Sequence, residues 1–154
     1  MSAKAKRNAF TLIEVLIVVV IMAVLAATII PQFASSTDDA KASAGKFNLH
    51  TLRSQIEMYK LQHGGNPPSL ANLVDALTKY SDTAGTSFAT TSDAAHPFGP
   101  YIQGTALPPN PFDNKNAVTA APTNPPTTAT AAGGWLYHAG SGQIFLNNTD
   151  HLTD

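Results

Sequence analysis

From Phe10 to Ile30 the chain runs through 21 residues of which only Thr11, Glu14 and Thr28 have polar side chains. As a helix rising about 1.5 Å per residue, that run is about 31 Å long, the thickness of a bilayer's hydrocarbon core. One ionisable residue, Glu14, stands near its start. A carboxylate so close to lipid costs on the order of a few kcal/mol unless it finds a partner or stays at the interface. Something must therefore offset the cost of Glu14.

The residues around it supply a candidate. Phe10-Thr11-Leu12-Ile13-Glu14-Val15 follows a short basic stretch, Lys4, Lys6 and Arg7, and a small residue, Ala9. On these residues the chain resembles the type IV pilin and pseudopilin superfamily, whose mark is a basic leader, a small residue, then Phe-Thr-Leu-Ile-Glu-Val opening an apolar helix. The resemblance implies that a prepilin peptidase cuts between Ala9 and Phe10 and methylates the Phe10 amine. It implies further that Glu14 positions the incoming subunit during filament assembly, pairing with the Phe10 amine of a neighbouring copy. Most of the family has Gly before the cut, where this chain has Ala9.

Two plainer readings compete. A secretory signal also has a basic start and an apolar core, and Val24-Leu25-Ala26 would pass as its cleavage site. It would place Glu14 inside its apolar core, and helical patterning continues past Ala26. A simple membrane anchor explains the length and leaves Glu14 without a reason.

The chain has 154 residues, and 145 follow the leader, room for one small domain beyond the anchor. The leader holds three of the nine basic residues and none of the ten acidic ones. What remains carries six against ten, a net charge of −4, which does not support a nucleic-acid surface. The basic leader predicts a cytoplasmic amino terminus, with the rest translocated. There is no cysteine, so packing, a bound ion or neighbouring copies must hold the exported part.

Pro31 follows the apolar run and predicts a kink or break, since proline lacks an N–H and crowds the preceding turn. The alternative is that the membrane helix ends there. Beyond it, Phe33, Ala40, Ala44, Phe47, Leu52, Ile56 and Tyr59 predict an apolar helical stripe. Arg53 and Glu57, four apart, are placed for an ion pair. Gly64-Gly65 predicts the helix end. One helix from Phe10 to His63 would have 54 residues and be about 81 Å long, which suits a filament axis better than a small core.

Ser69 is placed to cap a short helix carrying Leu70, Leu73, Val74 and Leu77 and ending near Lys79 or Tyr80. Residues 81–95 read as an exposed loop. Leu107-Pro108-Pro109-Asn110-Pro111-Phe112-Asp113-Asn114 is similar to the Leu-Pro-x-Asp-Pro-Trp-Gly-Asn segment of type II secretion major pseudopilins, with Asn110 for Asp and Phe112 for Trp. Residues 117–132, rich in Ala, Thr and Pro, read as mobile. Trp135–Ala139 and Gln143–Leu146 around Gly140-Ser141-Gly142 predict a β-hairpin, with Trp135, Tyr137, Ile144 and Leu146 on its buried face.

No nucleophile elbow, phosphate loop or cysteine site is present. His50, His63, His96, His138 and His151 have no metal-ligand spacing, so no enzyme and no metal centre are expected. The resemblance brings calcium into view, because major pseudopilins often hold it in an acidic C-terminal loop through oxygen ligands. Here Asp113, Asp150 and Asp154, with Asn114, Asn147 and Asn148, are too scattered to define a site, and no cofactor is expected. Asn147-Asn148-Thr149 fits a glycosylation sequon and is discounted as a chance triplet.

The fold expected is α+β and pilin-like. A leader spans 1–9, a membrane and filament-core helix 10–30, its amphipathic continuation 31–64, and a small head with flexible loops 65–154. The resemblance implies a pseudopilin of type II secretion, assembled from the bacterial inner membrane into a periplasmic pseudopilus. Its expected partners are further copies, the prepilin peptidase, an inner-membrane assembly platform with its ATPase, and minor pseudopilins. Ala23, Ala26 and Ala27 would let neighbouring helices approach closely. A surface pilus subunit for adhesion, motility or DNA uptake shares the same N-terminal physics. A membrane-anchored or secreted binding domain is the alternative of another class.

Overall fold

A computed structural model describes residues 10–152, leaving aside the side chains at positions 31 and 33–35. Helix α1 runs over Leu12–Gln62, 51 residues without interruption. Its backbone stays helical through Pro31, so the apolar run does not end the helix there. The chain divides into two compact units within α1, one reaching to Ala40 and one beginning at Lys41.

The first unit is the apolar part of α1. Leu12–Ile30 has a mean hydropathy of 3.0 and none of it is buried, so it is long and apolar enough to cross a membrane. Thr28, one of its few polar residues, donates its hydroxyl to the carbonyl of Leu25 at 2.9 Å. That bond satisfies the hydroxyl within its own helix, on a surface that offers it no other partner.

The second unit packs a mixed sheet and a short helix onto the remainder of α1. Gly45, Leu49, Leu52, Ile56 and Tyr59 are the buried positions of α1 in this unit, and His63 continues their line just past its end. Their spacing alternates four and three, the period of a helix face. The expected stripe was therefore one register off at its start: Ala44 is exposed and Phe47 is 73% exposed, whereas Leu49 is buried. The five-residue step from Phe47 to Leu52 is the irregularity that betrays the slip. Gly45 has a packing reason, since a Cβ there would stand 3.2 Å from a methyl of Leu146.

Helix α2 is confined to Leu73–Thr78, preceded by Asn72 at its cap position. Ser69 does not cap it; its carbonyl instead accepts the Asn72 amide in a turn before the helix. Strands β1 (Tyr80–Ser81) and β2 (Phe88–Ala89) form an antiparallel pair within the segment expected to be a bare loop.

The expected hairpin is present as β4 (Trp135–His138) and β5 (Gln143–Leu146), paired antiparallel with Trp135 opposite Leu146 and Tyr137 opposite Ile144. Gly142 turns it with φ +74°, and a Cβ there would come within 2.8 Å of Pro67. A third strand, β3 (Val118–Ala120), lies parallel to β4 and makes the sheet mixed. It comes from the Ala/Thr/Pro stretch that composition marks as mobile. Trp135, Tyr137, Ile144 and Leu146 join Leu49, Leu52, Ile56, Leu73 and Leu77 in the main core. The opposite face is buried too, with Leu136 and Phe145 packed against Ala121 and Leu152. The low-complexity stretch is thus ordered by covering that second face.

Candidate functional site

The local structure at the start of α1 gives Thr11 and Glu14 a specific geometry. The Thr11 carbonyl accepts the amide of Val15, placing Thr11 at the helix cap. The Glu14 carboxylate reaches back and accepts both the Thr11 amide at 2.8 Å and the Thr11 hydroxyl at 2.7 Å. The Glu14 amide in turn donates to the Thr11 hydroxyl oxygen at 3.3 Å. This is a capping box, Thr-x-x-Glu, satisfying donors that a helix start leaves unpaired. The Thr11–Glu14 spacing is legible in the sequence as Ser/Thr-x-x-Glu before an apolar run, and it gives Thr11 a role that reading by polarity alone passes over. It also places a negative charge at the positive end of the helix. Phe10 is 87% exposed and shares with Glu14, Val15, Ile17 and Val18 a concave apolar surface. Ala9, on the other side of the expected cut, lies outside the described residues.

The polar residues of the second unit hold loops. The Leu107–Asn114 segment is an internal bracket. The Pro108 carbonyl accepts the Trp135 indole N–H at 2.8 Å, and the Pro109 carbonyl accepts the side-chain Nδ2 of Asn48 at 3.3 Å. Asn110 is fully buried; its Nδ2 donates to the Gly134 carbonyl at 2.7 Å and its Oδ1 accepts the Phe112 amide at 3.0 Å. A carboxylate there has no hydrogen to give the Gly134 carbonyl, so the neutral amide is required. Asn110→Asp should destabilise the protein by about 3 kcal/mol, as an unpaired buried charge does, and by more than Asn110→Ala. Thermal unfolding of the two variants checks this; equal stability would contradict it.

The oxygens considered for calcium serve the same bracket. Asp113 accepts the Lys115 amide at 3.0 Å and the Gly134 amide at 2.7 Å, one on each carboxylate oxygen. Lys115 Nζ donates to the Ala132 carbonyl at 3.1 Å, bringing a fixed cation into that loop. Asn147 donates to the Thr130 hydroxyl and the Gly133 carbonyl and accepts the Thr130 amide. Asn148 accepts the Asp150 amide, and Asp154 lies outside the described residues. Among the described residues no three His, Cys, Asp or Glu side chains come together as a metal shell. The oxygens of this bracket fit an internal lock rather than a cation shell. The same burial takes Asn147 out of reach as a glycosylation acceptor.

His63 is a clamp at the end of α1. Its Nδ1 lies 2.8 Å from the Tyr59 carbonyl and its Nε2 3.1 Å from the Ser81 hydroxyl, while its ring stacks on Tyr59 at 3.8 Å. Asp93, His96 and Ser87 line up as in a hydrolytic triad, with His96 Nδ1 2.8 Å from Asp93 and Nε2 2.9 Å from Ser87. Acyl transfer also needs donors free to receive an oxyanion. The Ser87 and Thr86 amides are instead committed to the Asp82 carboxylate, at 3.0 and 2.8 Å. The arrangement is a loop staple.

The Ser87 amide, the largest of several hydrogen bonds from Ser87, Thr86 and Gly85, holds the Asp82 carboxyl below its ordinary value of 3.8. A lowered folded-state pKa means the loop is stabilised above the unfolded value and loses that support as pH falls through the folded one. The amide resonances of Thr86 and Ser87 should therefore shift together below about pH 4, and Asp82→Asn should abolish the shift. Resonances that stay flat to pH 2 in the unsubstituted protein would contradict the assignment.

An exposed apolar helix long enough to cross a membrane, opened by a capping box and joined to a small α+β head, defines a pilin-like architecture. Residues 4–30 match the prokaryotic N-terminal methylation motif, and residues 32–134 match type II secretion system (T2SS), protein G. The chain belongs to that protein G family, one of structural pseudopilins and not of enzymes. It is similar to the type II secretion system core protein G of Pseudomonas aeruginosa, 37% identical over 76 residues, 49% of this chain and 53% of that protein. The core protein G of Klebsiella michiganensis is 31% identical over 78 residues, 51% of this chain and 55% of that protein. That of Escherichia coli K12 is 32% identical over 81 residues, 51% of this chain and 56% of that protein. The chain thus spans about half the length of the curated relatives it matches. No solved structure matches it.

Proposed function

We propose that this chain is the major structural subunit of a type II secretion pseudopilus. It is held in the inner membrane by Leu12–Ile30, with its amino terminus cytoplasmic and its head periplasmic, and is drawn into a helical filament that helps drive protein export. The observation that carries this reading is the helix start: a capped acid, Glu14, beside an exposed Phe10, near the start of an exposed apolar span of 19 residues. Cutting between Ala9 and Phe10 would create an ammonium group one residue before the cap. In the filament that group, methylated, faces Glu14 of a neighbouring copy, and each charge offsets the other's desolvation. The apolar faces of α1 are buried against other copies, with Ala23, Ala26 and Ala27 at the close approaches. Pro31 marks where α1 bends or melts as subunits pack, since its missing N–H removes one helical bond.

The prepilin peptidase, the assembly platform with its ATPase, and the minor pseudopilins are the partners this reading requires. Mass spectrometry of the mature chain tests it. A chain beginning at N-methylated Phe10 is expected; one beginning near Ala27, as a secretory signal would leave, overturns it.

A further inference from the structure

Arg53 stands apart from the ion-paired cations of the described residues. Lys60 pairs with Glu57 and Lys79 with Asp75, each at 2.8 Å. The Arg53–Glu57 pair that helical spacing allows does not form. Arg53 instead lies across the edge of the sheet, its Nε donating to the Ile144 carbonyl at 3.2 Å and its guanidinium carbon 5.5 Å from the centre of the Phe145 ring. These contacts fix the guanidinium while leaving its two terminal nitrogens without an acceptor among the described residues. Partial burial already costs this charge some of its hydration and holds its pKa below the ordinary arginine value. A guanidinium fixed in plane with its fork open is built for a carboxylate.

The carboxylates tell the complementary story. Glu57 and Asp75 are in ion pairs, and Glu14, Asp82, Asp93 and Asp113 accept hydrogen bonds. Asp38 has a contact of its own. Asp39 and Asp150 are exposed and have no side-chain partner among the described residues. Among the described residues no acid meets Arg53, while Asp39 and Asp150 have no side-chain partner there.

We propose that Arg53 is an electrostatic docking point between copies, taking a carboxylate, Asp39 or Asp150, of a second molecule of this chain. The contact rests on the filament reading above. It would add a directional pair to an assembly otherwise driven by apolar helix faces, fixing the register in which one head meets the next.

Charge reversal in the full chain tests it, with filament yield read by electron microscopy of sheared fibres. Asp39→Arg and Asp150→Arg alter exposed side chains and should leave the head folded, as thermal unfolding in detergent would show. One of the two should lower filament yield at least about tenfold by setting like charges together. Adding Arg53→Glu to that same chain should restore filaments by inverting the pair. Loss with Arg53→Gln in a folded head, and a smaller but clear loss with Arg53→Lys, which keeps the charge and lacks the fork, would agree. If both acid reversals assemble as the unsubstituted chain does, or neither is rescued by Arg53→Glu, the proposal is overturned. Absence of filaments from the unsubstituted chain would instead overturn the filament reading itself.

Discussion

Glu14→Gln is expected to abolish filament assembly while leaving the protein in the membrane. Glutamine serves at the fourth position of a capping box nearly as well as glutamate, so the bonds to Thr11 survive the change. Only the charge is lost. Thr11→Ala is the converse experiment: it removes the cap hydroxyl, at a cost of about 0.5–2 kcal/mol of helix stability, and keeps the charge. If Glu14 exists to start the helix, Thr11→Ala should harm assembly and Glu14→Gln should not. If it exists to neutralise an ammonium group of another copy, the order reverses. Removing one partner of a buried pair leaves the other unpaired, a loss of about 3–5 kcal/mol per contact. Repeated at every step of a growing filament, that loss predicts no visible fibres. Filament counts and membrane fractionation of the two variants decide between these roles.

The largest effect on stability is expected from Trp135→Ala. Trp135 is fully buried between the sheet and α1, and its indole N–H is bound to Pro108. Emptying that volume should cost about 3–5 kcal/mol. The stranded Pro108 carbonyl adds about 1–3 kcal/mol. Domains of this size have only about 5–15 kcal/mol in hand, so the head should melt more than about 10 °C lower or fail to fold. Phe47→Ala is the control, because Phe47 is 73% exposed and should change stability by no more than about 0.5 kcal/mol. Near-ultraviolet circular dichroism on heating checks both. An equal response would mean that Phe47, not Leu49, faces the core.

That contrast also shows where sequence reasoning reached and where it stopped. The membrane helix, its acid, the terminal hairpin and the inward face of Trp135, Tyr137, Ile144 and Leu146 follow from periodicity and composition, because each repeats one simple rule over several residues. The start of the amphipathic stripe does not, since Phe47 is apolar enough to mislead. Leu49 is told apart only by keeping strict four-and-three spacing back from Tyr59. Strand β3 is illegible in the sequence because it is only three residues long inside an Ala/Thr/Pro stretch; it is recruited by the free edge of β4 and by the need to cover Leu136 and Phe145. The polar lock of Asn110, Asp113 and Asn147 bonds residues up to 24 positions apart. Nothing local marks such residues as partners. At the candidate site, Phe10 and Glu14 are visible in the sequence, whereas the two bonds that one Glu14 oxygen accepts from Thr11 are seen only in the geometry.

The contact between the Phe10 amine and Glu14 is open to direct measurement in filaments grown from two populations of subunits. One would carry 15N-phenylalanine and the other 13C-glutamate, so that any dipolar coupling between them must cross from chain to chain. The amine signal of Phe10 is distinct from the amide signals of the other phenylalanines. The predicted result is a coupling from that amine to a glutamate carboxyl carbon, corresponding to about 4 Å. Coupling seen only when both labels sit in the same chain, or none at all, would contradict the pairing between copies on which the assembly reading depends.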